Sequence, residues 1–287
     1  MTGPFEAIAA ASCVLLLSGC LGAGGGGVRS APLAGGRYVA LGSSFAAGGG
    51  IEPLKGNSPP RCGRSLASYP TLLAERMRLT LYDATCGGAR TDHVLGGWDE
   101  LPPQIEAVTA DTRLVTISIG GNDVNYVGNL FAASCEQRGS ALVDGSPLPC
   151  EAAPPPAEAD YQRLEANLRV IARDVKARAP QPRVVFVQYV TLVPHTLCEA
   201  TPVSPAAARQ AREVAARLSQ ATVSAAKAEG AMVLEADALS AHHTPCDDEP
   251  WAIGFPDASD PADGLPWHPN RAGHAAIATA LAERLGR

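Results

Sequence analysis

The sequence predicts an α/β fold: a single domain built as a three-layer α/β/α sandwich around a doubly wound, mainly five-stranded parallel sheet. The first observation is two runs of β-branched and other apolar residues, Leu114–Ile119 and Val184–Tyr189. Such runs lack the polar alternation of a half-exposed strand and are typical of strands buried on both faces, as in parallel sheets. The second observation is that strand and helix patterns alternate along the chain, which favours the doubly wound arrangement.

The first half of the domain supplies three strand patterns and one helix pattern. Tyr38–Gly42 is a short apolar segment that leads into a Ser/Gly-rich turn, which predicts a strand. Apolar residues recur at helical spacing in Tyr69–Arg78, so we expect a helix there, followed by a short strand at Leu79–Tyr82. Leu114–Ile119 is the third strand, and a Gly-Gly pair ends it.

The second half begins with a Pro-rich insertion, Ser134–Ala159, whose position makes it a candidate for the rim of a pocket. Tyr161–Arg178 predicts an amphipathic helix because its apolar residues form one stripe. Val184–Tyr189 is the fourth strand. The closing elements are the Ala-rich helix Pro205–Glu229, the short strand Met232–Glu235 and the helix Asn270–Leu285.

Composition and charge exclude several classes of protein. The chain has 287 residues, of which 46% are hydrophobic, so it can bury a sizeable core and is not grossly disordered. Acidic residues outnumber basic ones 29 to 23, and the net charge is −6. A broad basic surface is therefore not expected, and we predict no nucleic-acid partner.

The N-terminal residues predict export. Residues 1–19 contain an apolar run of signal-peptide length, and the sequence LSGC at residues 17–20 resembles the bacterial lipobox. Cys20 would then be lipidated and become the new N-terminus; the alternative is a plain secretory signal in which Cys20 has no role. The Gly-rich residues 20–36 predict a flexible tether before a domain at 37–287. We expect a protein anchored by lipid on the outer face of the cell membrane, or secreted.

Six cysteines follow the predicted lipidation site: Cys62, Cys86, Cys135, Cys150, Cys198 and Cys246. An even number suits an oxidising compartment, and six cysteines allow fifteen pairings, of which sequential pairing is the simplest. Cys246 also lies in a cluster with His242, His243 and Asp247, which contains the residue types of a metal site. Because Cys246 is better used in a disulfide, we expect no metal and no other cofactor.

Chemically capable residues gather in four segments. Three of them follow predicted strands, where open α/β sheets carry their functional residues, and the fourth precedes the last helix. They are Gly42-Ser43-Ser44-Phe45, Cys86-Gly87-Gly88-Ala89, Gly120-Gly121-Asn122-Asp123 and Trp267-His268-Pro269-Asn270. Taken singly, each has a plainer explanation, since Ser43 and Ser44 could cap a helix, Asn122 could lie in a simple turn and His268 could begin a helix.

Together and in this order, the four segments resemble the motif blocks of the SGNH (GDSL-type) hydrolases, in particular their secreted esterase/lipase branch with three disulfides. The resemblance covers residues 37–285 and implies a flavodoxin-like fold. It implies that Ser44 is the nucleophile and His268 its base. It also implies an oxyanion hole formed by the backbone N–H groups of Ser44 and Gly88 and the side-chain amide of Asn122.

These roles fit the chemistry of acyl transfer. A serine hydroxyl is a weak nucleophile until a neighbouring base takes its proton, and a neutral histidine can do so. The tetrahedral intermediate places negative charge on the former carbonyl oxygen, which prepositioned donors stabilise. We expect Asp123 to brace the turn that holds Asn122, and His274 to have a structural role.

The sequence departs from the family pattern at two positions. Ser43 stands where the first block of the family has Asp, and Leu265 stands three residues before His268, where an Asp commonly orients the imidazole. We therefore expect a Ser–His dyad in which the backbone carbonyl of Leu265 or Pro266 orients the histidine. The alternative is a triad completed by Asp263.

The resulting prediction is a serine ester hydrolase, acting on carboxylic esters as an esterase or lipase. The expected substrate is an acyl ester or a lipid, with an acetylated glycan also open, and we expect a monomer. Two alternatives use the same site, an acyltransferase and a glycan O-deacetylase. A third is a non-catalytic lipoprotein that binds a lipid or a glycan.

Overall fold

The computed structural model describes residues 1–3, 33–138, 142–143, 146–147, 150–256 and 263–286. The chain divides into two units, residues 1–32 and Leu33–Arg287, and the description below concerns the second. Almost all of the predicted signal peptide, the Cys20 lipidation site and most of the predicted tether lie outside the described residues.

The folded unit begins slightly before the predicted residue 37. Leu33 is buried in the hydrophobic core, and the N–H of Gly35 donates to the carbonyl of Arg78. The last four residues of the predicted tether, 33–36, therefore belong to the domain.

The strands, in chain order, are β1 (Arg37–Gly42), β2 (Thr80–Asp83), β3 (Thr112–Ser118), β4 (Leu142–Val143), β5 (Ser146–Pro147), β6 (Arg183–Val187) and β7 (Met232–Leu234). β4 and β5 pair with each other antiparallel. The other five form a parallel sheet in the order β2-β1-β3-β6-β7, which confirms the predicted five-stranded doubly wound sheet. The strand order reverses between β1 and β3, and this is where open α/β sheets carry their sites.

The register of the sheet brings two loops together at this switch point. Gly42, the last residue of β1, pairs with Ser118, the last residue of β3. The two strands therefore end at the same level, and the loops that follow them begin side by side.

The helices flank the sheet. They are α1 (Ser44–Ala47), α2 (Tyr69–Met77), α3 (Thr91–Leu95), α4 (Tyr126–Arg138), α5 (Glu158–Arg178), α6 (Pro205–Ala228), α7 (Ala236–Leu239) and α8 (Arg271–Gly286). α2 packs against α8, and α5 packs against α6. Local signals set some boundaries: at the start of α6 the Ser204 hydroxyl oxygen accepts from the N–H of Ala207, and Pro205 occupies the first helical position.

Helix α4 was not expected from the sequence. The predicted Pro-rich insertion starts at Ser134, but the helix runs through that position to Arg138. Its buried residues do not recur as one apolar stripe, and Gly128 and Asn129 interrupt them, so the pattern carries no clear helical period. The short helices α1 and α3 were not predicted either, because four or five residues are too few to show a helical period of apolar residues.

The six cysteines form three disulfides in sequential order: Cys62–Cys86, Cys135–Cys150 and Cys198–Cys246. Cys246 forms the third disulfide, so its thiolate is not available as a ligand in the cluster at residues 242–247. His243 stacks on the Trp251 ring and its Nδ1 lies 2.8 Å from the Glu249 carbonyl oxygen.

A search of the described residues found no cluster of three or more His, Cys, Asp or Glu side chains that could hold a metal ion. The helices in the same residues include none with the length and apolar character needed to span a membrane.

Candidate active site

Ser44 is presented by the sharp passage from β1 into α1. Ser43 has an extended backbone and its side chain does not cap the helix, so the N-cap explanation fails for this pair. The strand end is fixed instead by buried Gln104, whose Oε1 accepts from the Gly42 N–H at 2.8 Å and whose Nε2 donates to the Gly42 carbonyl at 3.0 Å. This two-point contact holds the backbone immediately before the serine pair.

His268 lies just before α8 and faces Ser44. Its Nε2 is 2.8 Å from the Ser44 hydroxyl oxygen, and its Nδ1 is 2.7 Å from the carbonyl oxygen of Pro266. A carbonyl oxygen only accepts, so the ring proton resides on Nδ1 and leaves Nε2 free to accept from the serine hydroxyl. The arrangement can take a proton from Ser44.

The group that contacts Nδ1 is the Pro266 carbonyl rather than that of Leu265, and it is not a carboxylate. The alternative of Asp263 completing a triad is wrong. That side chain is exposed, and its two oxygens accept from Nε and Nη2 of Arg271, each at 3.0 Å. The carboxylate of Asp263 is thus paired with Arg271, and the hydrogen bonds of the His268 ring go to Pro266 and Ser44.

Burial sets the protonation state of His268. The side chain is only 5% exposed, and desolvation lowers its pKa from 6.5 to about 4. The hydrogen bond to the Pro266 carbonyl acts in the opposite direction, but it is the smaller effect. The imidazole is therefore neutral near neutral pH, which is the form that can accept a proton.

Ser44, Gly88, Asn122 and His268 line one cavity of about 400 Å³. Gly88 adopts φ +78°, a left-handed conformation that favours glycine. Within the described part of the chain, the backbone N–H groups of Ser44 and Gly88 make no hydrogen bond. The Asn122 amide nitrogen donates one hydrogen to the Ala89 carbonyl at 2.9 Å, which leaves its second hydrogen available.

Asp123 braces the same turn, as expected. Its carboxylate accepts from the N–H of Thr91 at 3.1 and 3.2 Å and also from the Thr91 hydroxyl, which ties the turn to the start of α3. Burial raises the pKa of Asp123, and the bonds from Thr91 counteract this.

His274 is fully buried. Its Nδ1 accepts from the N–H of Tyr69 at 3.1 Å, and burial lowers its pKa to about 3. It does not line the cavity that contains Ser44 and His268, which we call the catalytic cavity after its proposed role, and this agrees with the structural role expected for it.

Tyr189 is a member of the site that sequence reasoning missed. Its hydroxyl accepts from the Gly121 N–H at 2.9 Å and lies 3.3 Å from the Ser43 hydroxyl oxygen. Its ring lies 4.2 Å from that of Phe45, which in turn lies 4.8 Å from the His268 ring. The available signal was its position at the end of a predicted strand, where functional residues gather.

The wall of the cavity is largely apolar. Its apolar side chains are Phe45, Val127, Phe131 and Leu265, with the ring of Tyr189 beside them. Arg61 also lines the cavity; it lies over the Trp98 ring and pairs with Asp99 and Glu100. Helix α4 contributes Val127, Gly128 and Phe131 to this wall. Of the described residues of the Pro-rich insertion, Ala152, Ala153 and Pro155 line a separate groove beside α4 and α6.

Comparison with known proteins places the chain in a family. Residues 40–276 match the model of the GDSL-like lipase/acylhydrolase family. The sequence is 32% identical over 266 residues to Lipase 2 of Streptomyces coelicolor, which covers 87% of this chain and 85% of that protein.

Two solved structures have the same fold. An extracellular lipase from Streptomyces rimosus aligns with a TM-score of 0.65 and 24% identity, covering 85% of this chain and 99% of its own. A phospholipase A1 from Streptomyces albidoflavus aligns with a TM-score of 0.67 and 22% identity. The alignment covers 88% of this chain and 99% of the phospholipase chain. The chain thus belongs to the GDSL-like lipase/acylhydrolase family and is a serine ester hydrolase, acting on carboxylic esters.

Proposed function

We propose that the chain hydrolyses esters of apolar acyl groups through an acyl-enzyme on Ser44. The observation that carries this proposal is the hydrogen-bonded series from Pro266 through His268 to Ser44, with distances of 2.7 and 2.8 Å. As the serine oxygen attacks the ester carbonyl carbon, Nε2 of His268 takes the hydroxyl proton and then gives it to the leaving alcohol. The same nitrogen then takes a proton from a water molecule, whose oxygen attacks the carbonyl carbon of the acyl-enzyme. As the bond to Ser44 breaks and the acid leaves, Nε2 returns that proton to the serine oxygen.

The oxyanion of each tetrahedral intermediate would be stabilised by three donors. These are the backbone N–H groups of Ser44 and Gly88 and the remaining amide hydrogen of Asn122, which line the same cavity. All three are neutral, so they stabilise a developing negative charge without binding the product carboxylate as a cation would. Loss of one such donor typically lowers kcat by a factor of about 10²–10³.

The lining of the cavity supports an apolar acyl group as the part of the substrate bound beside Ser44. A volume of about 400 Å³ is at the smaller end of ligand sites, which span about 300–1,000 Å³. The side chains of Phe45, Val127, Phe131 and Leu265 offer hydrocarbon contacts, and burial of a CH₂ group contributes about 0.8 kcal/mol. The names of the relatives, lipase and phospholipase A1, support acyl esters over acetylated glycans.

The test is hydrolysis of p-nitrophenyl esters from C2 to C16 by the full chain. Ser44→Ala should lower kcat by at least about 10³-fold, since only the nucleophile is removed. The control is Ser224→Ala, which removes a hydroxyl bonded to Glu165 on the helical surface and should leave kcat unchanged. An acyl-length optimum above C2 supports the apolar acyl site. Full activity of Ser44→Ala would show that Ser44 is not the nucleophile. Activity on acetate esters alone would show that the cavity does not bind longer apolar acyl groups.

We further propose that the protein is secreted and held at the cell surface by a lipid on Cys20, where it acts as a monomer. Three disulfides fit an oxidising compartment, and one relative is an extracellular lipase. In a bacterial host, labelled palmitate should enter the wild-type protein and not Cys20→Ala, and the variant should leave the membrane fraction. Absence of label from the wild-type protein would refute the proposal that Cys20 carries a lipid. A dimer detected in solution by light scattering would refute the proposed monomeric state.

A further inference from the structure

Tyr189 stands just beyond the end of β6 and has no chemical step in the mechanism above. Its side chain is buried, with 8% of the residue exposed, and it contacts elements from two other parts of the chain. A buried phenol needs partners for its oxygen, so its hydrogen bonds identify what it holds.

The hydroxyl of Tyr189 connects the loops after β1 and β3. A backbone N–H can only donate, so the Tyr189 oxygen accepts from Gly121 at 2.9 Å. Its own hydrogen is then free to be donated, and the Ser43 hydroxyl oxygen at 3.3 Å is the partner available to it. Burial raises the pKa of Tyr189 to about 12, so the phenol keeps that hydrogen at neutral pH.

The ring of Tyr189 fixes the same turn by contact. A Cβ atom built on Gly121 would lie 2.7–2.8 Å from three atoms of the phenol, which is closer than a side chain can approach. The turn therefore rests directly on the ring, and glycine at 121 is required by that contact. The ring also packs on Phe45, the residue after Ser44.

These contacts join the three loops that carry the proposed oxyanion-hole donors. Gly121 precedes Asn122, whose amide donates to the carbonyl of Ala89, the residue after Gly88. Ser43 precedes Ser44. A continuous series of hydrogen bonds and peptide bonds thus runs from the nucleophile loop through Tyr189 to both other loops.

We propose that Tyr189 is a positioning residue for the oxyanion hole, which holds the Asn122 turn at a fixed distance from the Ser44 loop. This inference rests on the proposed function, since it presumes that Asn122 stabilises the oxyanion. The hydrogen bonds of the Tyr189 hydroxyl are to Gly121 and Ser43, and not to the attacking oxygen of Ser44. Its contribution comes from preorganisation, because misplacement of a donor by about 1 Å can cost about 10²-fold in rate.

The direct test is Tyr189→Phe in the full chain, which keeps the ring and removes only the hydroxyl. Since the donor matters only in the transition state, kcat on a p-nitrophenyl ester should fall about 10–100-fold while KM stays within about twofold. The matched control is Tyr38→Phe, which removes a hydroxyl buried in β1 that lies 2.7 Å from the Thr116 hydroxyl oxygen and outside the cavity. It should lower the unfolding midpoint without changing kcat.

A double-mutant cycle identifies the route of the effect. If Tyr189 acts through Asn122, adding Tyr189→Phe to Asn122→Ala should cost less than about threefold in kcat. Full additivity would overturn the inference, and so would wild-type kcat in Tyr189→Phe. If Asn122→Ala alone loses about 10²–10³-fold while Tyr189→Phe matches the wild type, the inference fails and the proposed function stands. Unchanged kcat in both Asn122→Ala and Ser44→Ala would overturn the proposed function itself.

Discussion

The Nδ1 atom of His268 lies 2.7 Å from the carbonyl oxygen of Pro266, two residues earlier in the chain. A backbone carbonyl can orient the imidazole and select its tautomer as a carboxylate does, but it carries no full negative charge to stabilise the imidazolium. The nearby carboxylate of Asp263 is committed to Arg271 on the surface. The proposed Ser44–His268 pair therefore depends on local backbone geometry rather than on a third side chain.

Asp263→Asn should leave kcat within about threefold of the wild type, because the removed charge orients Arg271 and not His268. The stability loss should be below about 1 kcal/mol, since the ion pair is half exposed on both sides. Steady-state kinetics on a p-nitrophenyl ester and urea unfolding measure the two effects. A fall in kcat of about 10⁴-fold, as for loss of a triad aspartate, would contradict the dyad.

The dependence of kcat/KM on pH should follow the lowered pKa of His268. Catalysis needs the neutral ring, and burial lowers the pKa to about 4, so activity should be level from neutral pH down to about pH 5 and then fall as the ring is protonated. Product release can be followed by chromatography from pH 3 to 8, with circular dichroism at each pH to separate titration from unfolding. An acid limb centred near 6.5 would show that burial does not control this histidine.

Asn122→Ala should lower kcat by about 10²–10³-fold and leave KM nearly unchanged, because the amide donates to an oxyanion present only in the transition state and intermediates. Asn129→Ala is the matched control: its side chain lies on α4 and accepts from the Ala153 N–H, and it does not line the catalytic cavity. Equal kcat values for the two variants would show that Asn122 does not stabilise the oxyanion.

Loss of the Cys198–Cys246 disulfide should reduce the free energy of unfolding by about 2–5 kcal/mol. The two cysteines are 48 residues apart, against 15 for Cys135 and Cys150, and a longer closed loop restricts the unfolded chain more. Urea unfolding of the two double Cys→Ser variants should therefore show the larger loss for the pair 198 and 246. A larger loss for the pair 135 and 150 would indicate that the length of the closed loop does not determine how much each disulfide stabilises the fold.

The sheet could be predicted from sequence because four of its five strands are short and mainly apolar, and because clear helical periods follow β6 and precede β2 and β6. The four site segments could also be predicted, since each lies beyond a strand or before the last helix. Helix α4 could not, because Gly128 and Asn129 interrupt its buried residues and its two sides face different surroundings: Phe131 lines the catalytic cavity and Ala133 the separate groove.

The contacts that hold the site together depend on residues far apart in the chain. Gln104 binds the backbone of Gly42, 62 residues away, and Tyr189 reaches Ser43 across 146 residues. No local pattern encodes such pairs, since register and packing of the whole sheet bring them together. The choice of Pro266 over Leu265 as the partner of His268 depends likewise on backbone direction, which composition does not specify.

Covalent labelling tests the central claim most directly. A fluorophosphonate reacts with a serine only when a neighbouring base activates it, and the adduct can be located by mass spectrometry of peptides. We expect one modified residue, Ser44, in the full wild-type chain, unchanged labelling in Asp263→Asn and loss of labelling in His268→Ala. A modified serine other than Ser44, or undiminished labelling in His268→Ala, would contradict the central claim.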